Sequence, residues 1–312
     1  EPSTLSHRLT TDLLRGHLGF NGLVVSDATP MAGLTGWVDR ATAVPLAIMS
    51  GCDIFLFPTE GVDVRLMEEG LRDGRLTEAR LEEACLRILG LKAALGLHRK
   101  PVSERIATLE EARDALATAG HVATSEEVAR RSVTLVKRQD ALLPIDATRY
   151  PRVVVIADYP EMILPTMPRR SYEPFFGVLR EAGFVVREFD AAALPTPDDT
   201  DLVIYLVGGE ATIGSTGHGL NWGRLHGGGF RGAMLRFWAE IPTVMVSFGQ
   251  PYVLHDAPQV GTYVNAYTVL APWQRAVARK LLGQEAWEGV SPVDPFCGDP
   301  SARFSAPLPV KK

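Results

Sequence analysis

The chain reads as an α/β protein, the last strands of a (β/α)8 TIM-type barrel followed by an open α/β sandwich domain. The short apolar run Leu23-Val24-Val25 is continuous rather than alternating, as in a parallel strand covered on both faces, and further strand-like runs follow, Leu202 to Val207 among them. Amphipathic segments of helical period separate these runs. In the first hundred residues strand follows strand at a spacing of roughly 30 residues, that of βαβ units.

Taken in order, Pro2-Ser3-Thr4 can cap a first helix whose Leu5, Leu9, Leu13 and Leu14 form one apolar stripe, and Gly16 and Gly19 bracket its end. Leu23 to Val25 is then a short buried strand that ends at Ser26-Asp27, residues 41–50 a second helix, and residues 53–58 a second buried strand closed by Pro58. Residues 60–97 read as two helices, the second with Leu81, Cys85, Ile88, Leu89 and Leu95 at helical spacing. A polar linker at 98–104 leads into a helical stretch over 109–132. Strands at 133–136, 153–156, 185–189, 202–207, 243–247 and 261–264 then alternate with helical segments at 172–182, 227–239 and 271–283. The organisation expected is a barrel portion over 1–100, a helical linker over 101–130 and an α/β sandwich over 131–312.

Composition narrows the classes of function. Hydrophobic residues make up 46% of the chain and the formal net charge is −5, without a basic patch that would suit nucleic acid. No apolar run approaches the ~18 residues of a membrane span. Cys52, Cys85 and Cys297 are odd in number and lack paired spacing, so neither a disulfide framework nor a zinc site is indicated, and Cys52 and Cys85 read as core residues. No His, Asp or Glu cluster has metal-ligand spacing, and no cofactor is called for. Gly208-Gly209 after a strand lacks the Gly-x-Gly-x-x-Gly pattern of a dinucleotide site.

Asp27 is the candidate for chemistry. In a barrel of parallel strands the carboxyl ends carry the reacting groups, so a carboxylate placed there is a candidate nucleophile. The competing reading is an aspartate that caps a helix or shapes a turn at a strand end. Met31, four residues on, either lines a site or fills an apolar gap.

These segments resemble glycoside hydrolase family 3. The resemblance is carried by Pro2-Ser3-Thr4-Leu5-Ser6, Leu14-Arg15, Leu18-Gly19-Phe20, Gly22-Leu23-Val24-Val25-Ser26-Asp27 and Met31. It continues through Ala47, Gly51-Cys52-Asp53, Gly74-Arg75-Leu76, Arg87-Ile88-Leu89, Lys92 and Leu95-Gly96-Leu97. Ser132 to Lys137 with Leu142-Leu143-Pro144 is similar to the opening of that family's second domain. Val246 to Leu254, Ala266-Tyr267 and Gln274-Arg275-Ala276 look like the β-N-acetylhexosaminidase branch, and the Gly-Gln-Glu-Gly-Gly-like run of the glucosidase branch is not found.

The resemblance implies that Asp27 attacks the anomeric carbon to form a covalent glycosyl-enzyme, and that Met31 lines the sugar site. The partner implied is a carbohydrate, an N-acetylglucosaminide or cell-wall fragment, with no nucleic acid and no membrane. It also implies a longer parent. The family's barrel has eight strands and a full barrel takes ~250 residues, whereas about two strands precede the linker here. The chain therefore reads as the carboxyl-terminal portion of an enzyme, lacking the amino-terminal barrel half and the Lys-His-Phe-Pro-Gly-His-Gly-like loop that supplies the acid in the hexosaminidase branch. Such a chain is expected to be inactive alone.

Substitutes for that acid lie in the Gly-rich stretch 208–229. Glu210 falls roughly where the glucosidase branch delivers a glutamate, and His218 is a second candidate; both also read as solvent-facing loop residues. Trp222 either stacks on a sugar face or anchors its loop to the core. A β-glucosidase, an N-acetylglucosaminide phosphorylase and a non-catalytic carbohydrate-binding module remain the alternatives.

Overall fold

The computed structural model describes residues 1–139, 141–159, 171–207 and 219–304. The chain forms two compact units, Glu1–Arg113 and Asp114–Lys312.

In the first unit, a short 3-10 turn at Ser3–Leu5 leads into Arg8–His17, which is wound as a wide π-helix. Its end shows the five-residue spacing directly, with the Leu18 N–H donating to the Leu13 carbonyl at 2.9 Å. This winding changes which residues face inward. Leu5, Thr10 and Arg15, five apart, turn toward the core, and Leu9 and Leu13 of the expected apolar stripe are each 42% exposed. The 3.6-residue period assumed from the sequence is the wrong one for this segment.

Helices α1 (Ala32–Thr35), α2 (Arg40–Ser50), α3 (Asp63–Asp73) and α4 (Glu78–Ala94) follow. Asp39 caps α2 by accepting the Thr42 N–H at 2.8 Å, and Gly51, at a φ of 128° that other residues avoid, ends it. The core of the unit gathers Leu5, Val44, Ala47, Ile48, Cys52 and Leu76. Helix α4 does not bury the expected leucine face: Ala84 is buried, whereas Cys85 is exposed and Leu89 and Leu95 are 59% and 53% exposed. Its inward residues include Arg80, which reaches an internal carboxylate, so a charge rather than an aliphatic stripe sets its rotation. The core reading therefore holds for Cys52 and fails for Cys85. The two expected strands shrink to a single parallel bridge, Val25 with Ile54. Leu23 and Val24 are half-buried and Val25 is 47% exposed, because one neighbour covers one edge and no described residue pairs with the other.

Helix α5 (Leu109–Ala115) and α6 (Ala119–Ser132) lead to the second unit's sheet. Its strands are β1 (Thr134–Lys137), β2 (Arg152–Ala157), β3 (Val185–Glu188), β4 (Leu202–Val207), β5 (Thr243–Ser247) and β6 (Thr262–Asn265), in the spatial order β1-β6-β5-β4-β2-β3. All neighbours are parallel except β1 with β6. Period-two alternation divides the strands between two cores. Val153, Val155, Leu202, Ile204, Leu206, Val244, Val246 and Val264 share one with α7 (Glu173–Glu181) and α10 (Ala271–Leu281). Val154, Ile156, Val203, Tyr205, Met245 and Tyr263 share the other with α8 (Trp222–Leu225) and the aromatic residues around Phe237; α9 (Gly229–Met234) follows α8. Every residue of β4 is buried, which is why its sequence shows no alternation. No helix of the described residues is long and apolar enough to cross a membrane.

Candidate active site

The Val25–Ile54 bridge fixes where Asp27 emerges. Val24 accepts the Asp53 and Ile54 N–H groups at 2.7 and 3.2 Å, and the Ser26 N–H donates to the Ile54 carbonyl at 2.9 Å. Beyond the bridge the two chains stay joined by side chains. The buried Ser26 Oγ accepts the Leu56 N–H at 2.9 Å, and the buried Thr29 Oγ1, 2.9 Å from both the Leu56 and Phe57 carbonyls, shares its one proton between them. Asp27 sits between these two latches with its side chain in solvent. Its Oδ1 accepts the N–H of Ala28 at 2.6 Å, the one hydrogen bond its carboxylate makes among the described residues. Met31 precedes α1 and is 52% exposed.

At the amino-terminal side of the same segment stands a charge cluster that the sequence reading passed over. Asp53, buried, accepts Arg15 at 2.6 Å, Arg80 at 2.9 Å and the Val24 N–H at 2.9 Å. The signal was present: an aspartate placed between Cys52 and the apolar run 54–57 must find a cation or leave the core. A second pair ties the starts of α2 and α3, with Arg40 bidentate on Asp63 at 2.7 and 2.6 Å. Burial alone would raise the Asp63 carboxyl, but the Arg40 guanidinium and the Thr59 N–H outweigh it and hold it below the ordinary carboxylate range. Both helix starts follow the strand ends that carry Asp27 and Phe57, so the pair braces that face.

In the second unit, strand order reverses between β2 and β4, and the crevice outside their carboxyl ends is where open α/β sheets bind ligands. Asp158, just after β2, holds Arg224 of α8 at 2.8 and 2.9 Å. Trp222 on the same helix lies 4.8 Å from the Trp238 ring and meets Tyr205 edge-on at 5.7 Å, so its packing is that of an anchor to the core. Glu210 and His218 lie outside the described residues, as does Gly208-Gly209. Among the described residues no cluster of His, Cys, Asp and Glu could hold a metal ion.

Comparison with known proteins places this arrangement. Residues 1–91 match the glycosyl hydrolase family 3 N terminal domain. Over 309 residues the chain is 40% identical to a protein of Cellulomonas fimi named β-N-acetylglucosaminidase/β-glucosidase, covering 95% of this chain and 53% of that one. The solved structure of a β-glucoside phosphorylase superposes with a TM-score of 0.79 at 35% identity, over 97% of this chain and 54% of that one. A family 3 β-N-acetylglucosaminidase from Paenibacillus sp. str. FPU-7 superposes with a TM-score of 0.67 at 22% identity, over 93% and 54% of the two chains, a likeness of fold. The fold is the closing part of a TIM-type barrel joined to an α/β sandwich, the build of a two-domain glycoside hydrolase. The chain belongs to glycoside hydrolase family 3. It spans about half the length of these relatives.

Proposed function

We propose that this chain contributes the nucleophile of a retaining glycosidase that releases terminal β-linked N-acetylglucosamine. The observation that carries the reading is the position of Asp27: a solvent-facing carboxylate at the end of a barrel strand, held between the Ser26 and Thr29 latches. In the first step an Asp27 oxygen bonds to the anomeric carbon as the glycosidic C–O bond breaks, and the departing oxygen takes a proton from a general acid. In the second step water, deprotonated by that same group, attacks the anomeric carbon and frees Asp27, so configuration is retained. The role of Met31 is to line the sugar pocket beside Asp27.

No described residue pairs with the Asp27 carboxylate as a proton donor to the leaving oxygen. The candidates read from the sequence for that donor are Glu210 and His218. If neither serves, the chain by itself is expected to be inactive or nearly so, since loss of general acid–base help alone costs typically ~10²–10⁴-fold.

A second reading replaces water by phosphate, and it is favoured by the 35% identity to a β-glucoside phosphorylase over 97% of this chain. The sugar is the other open choice, since the Cellulomonas fimi relative carries both the N-acetylglucosaminidase and the β-glucosidase name.

The test is a 5-fluoro or other slow-turnover N-acetylglucosaminide, and a 2-fluoro glucoside, incubated with the full encoded protein that contains this chain and read by peptide mass spectrometry. A sugar adduct on the Asp27 peptide, absent in Asp27→Ala, is expected. Release of the adduct by phosphate faster than by water selects the phosphorylase. Turnover with no adduct on that peptide rejects Asp27, and absence of both favours a carbohydrate-binding module.

A further inference from the structure

Phe57 follows the second bridge segment directly, on the face that carries Asp27, and its backbone is in an unusual state. Its φ is 54°, in the left-handed region that an aromatic residue adopts at a cost. Pro58 comes next, and a residue before proline favours extended backbone, so the local sequence opposes the observed conformation twice. Within residues 1–312 the ring lies mostly outside the core. Phe57 is 60% exposed, so burial of its side chain does not offset the strain.

The conformation is held from the Asp27 side. Thr29 Oγ1 lies 2.9 Å from the Phe57 carbonyl, and the preceding Leu56 N–H donates to Ser26 Oγ at 2.9 Å. Phe57 is thereby fixed two residues from Asp27 through one hydrogen bond. The loop between Asp27 and α2 adds further apolar surface at this end, with Met31 52% and Trp37 59% exposed. Glycine or asparagine at position 57 would relieve the backbone, and a polar side chain would suit the exposure. An exposed aromatic kept in a strained pose at the strand ends that carry Asp27 points to use of its face.

We propose that Phe57 is a binding residue, a stacking platform for the leaving-group half of a glycoside, whose aryl or pyranose ring presents a flat apolar face. The inference rests on the reading of Asp27 as the sugar-side nucleophile. The rigid backbone at Phe57 sets the ring in advance, so little side-chain or loop freedom is lost on binding. A flat leaving group gains the stacking contact, and a methyl group does not.

The experiment measures, by calorimetry, binding of methylumbelliferyl and methyl N-acetylglucosaminide, and of the corresponding glucosides, to the full encoded protein carrying Asp27→Ala. Each is repeated with Phe57→Gly and, as a second variant that tolerates the left-handed region, Phe57→Asn. The aryl glycoside is expected to bind ~10-fold more tightly than the methyl glycoside. Either substitution should collapse that ratio to about twofold or less without lowering the thermal midpoint, and Phe57→Tyr should keep it. An unchanged ratio in Phe57→Gly and Phe57→Asn, or no binding of either aryl glycoside, overturns the proposal. The fluoro-sugar adduct reports separately on Asp27: a collapsed ratio with no adduct keeps the platform and removes the nucleophile assignment.

Discussion

The Asp53 carboxylate accepts the Arg15 guanidinium at 2.6 Å with none of its side chain exposed. Arg80 reaches the other oxygen at 2.9 Å, and Arg15 and Arg80 are themselves only 11% and 10% exposed. One buried anion thus joins the π-helix, α4 and, through the Val24 N–H, the segment that ends in Asp27. Its place at the amino end of the bridge, away from the strand ends that carry Asp27 and Phe57, makes it part of the scaffold.

Removing that anion leaves the buried Arg15 with no carboxylate partner and Arg80 with only the more distant Glu83, at 3.5 Å. Asp53→Asn is expected to destabilise the first unit by roughly 3–5 kcal/mol, the range for breaking a buried pair by deleting one partner. Amide hydrogen exchange across α2 and α4 is the measurement, because it reads the first unit within the intact chain. A loss below about 1 kcal/mol would mean that water reaches both guanidiniums and that the cluster is not what holds the bridge.

The second unit was far more legible in the sequence than the first, for a physical reason. Its central strands β2, β4, β5 and β6 are covered on both faces, so runs such as Leu202 to Val207 must be apolar throughout and show plainly. In the first unit the equivalent Leu23 to Val25 makes one bridge, and the helix before it is wound at five residues per hydrogen bond, which no 3.6-period template finds. Asp27 was conspicuous as a carboxylate ending an apolar run. The strain at Phe57 was not, since a φ of 54° before Pro58 is the reverse of what that dipeptide favours.

His226 should make the second unit acid-sensitive. The ring is buried; Nδ1 faces the Gly232 carbonyl at 2.9 Å and Nε2 the Tyr205 hydroxyl at 2.9 Å. A carbonyl only accepts, so the neutral ring carries its proton on Nδ1 and Nε2 accepts from Tyr205. Burial holds the imidazole below its ordinary value of 6.5, and Arg236 pushes the same way against the Gly232 bond. The unfolded chain therefore binds the proton first, and the His226 contribution is lost as pH falls below about 6.5. Urea midpoints between pH 5 and 7.5 should slope downward toward acid, and the slope should flatten in His226→Gln. An equal slope in the two proteins would remove His226 as the cause.

Lys137 should show the opposite end of the range. Its side chain is buried, Nζ donates to the Pro258 carbonyl at 2.7 Å, and burial pushes the ammonium down to about 8. Between about 8 and the ordinary 10.5 the unfolded chain holds a proton that the folded chain has released, so stability gains a contribution as pH rises through that window. The gain in midpoint over this interval should be smaller in Lys137→Met, where nothing titrates at that position. A matching pH profile would show that the ammonium stays solvated in the fold.

Ser26 tests whether the latch serves chemistry as well as shape. Its hydroxyl accepts the Leu56 N–H at 2.9 Å and lies 3.2 Å from the Asp27 carbonyl, so under the proposed nucleophile role it would set the position of the carboxylate. In Ser26→Ala the half-buried Leu56 N–H loses its acceptor, which costs about 1 kcal/mol, and Asp27 loses its register against the next chain. A displacement near 1 Å at a nucleophile lowers rate by ~10²-fold while leaving ground-state affinity largely intact. In the full encoded protein Ser26→Ala should therefore lower kcat by ~10–10²-fold with KM changed less than about threefold, and Ser26→Thr, which restores a hydroxyl, should recover most of it. A rise in KM at unchanged kcat would place Ser26 with the binding surface instead, because uniform binding and not alignment would then have been lost.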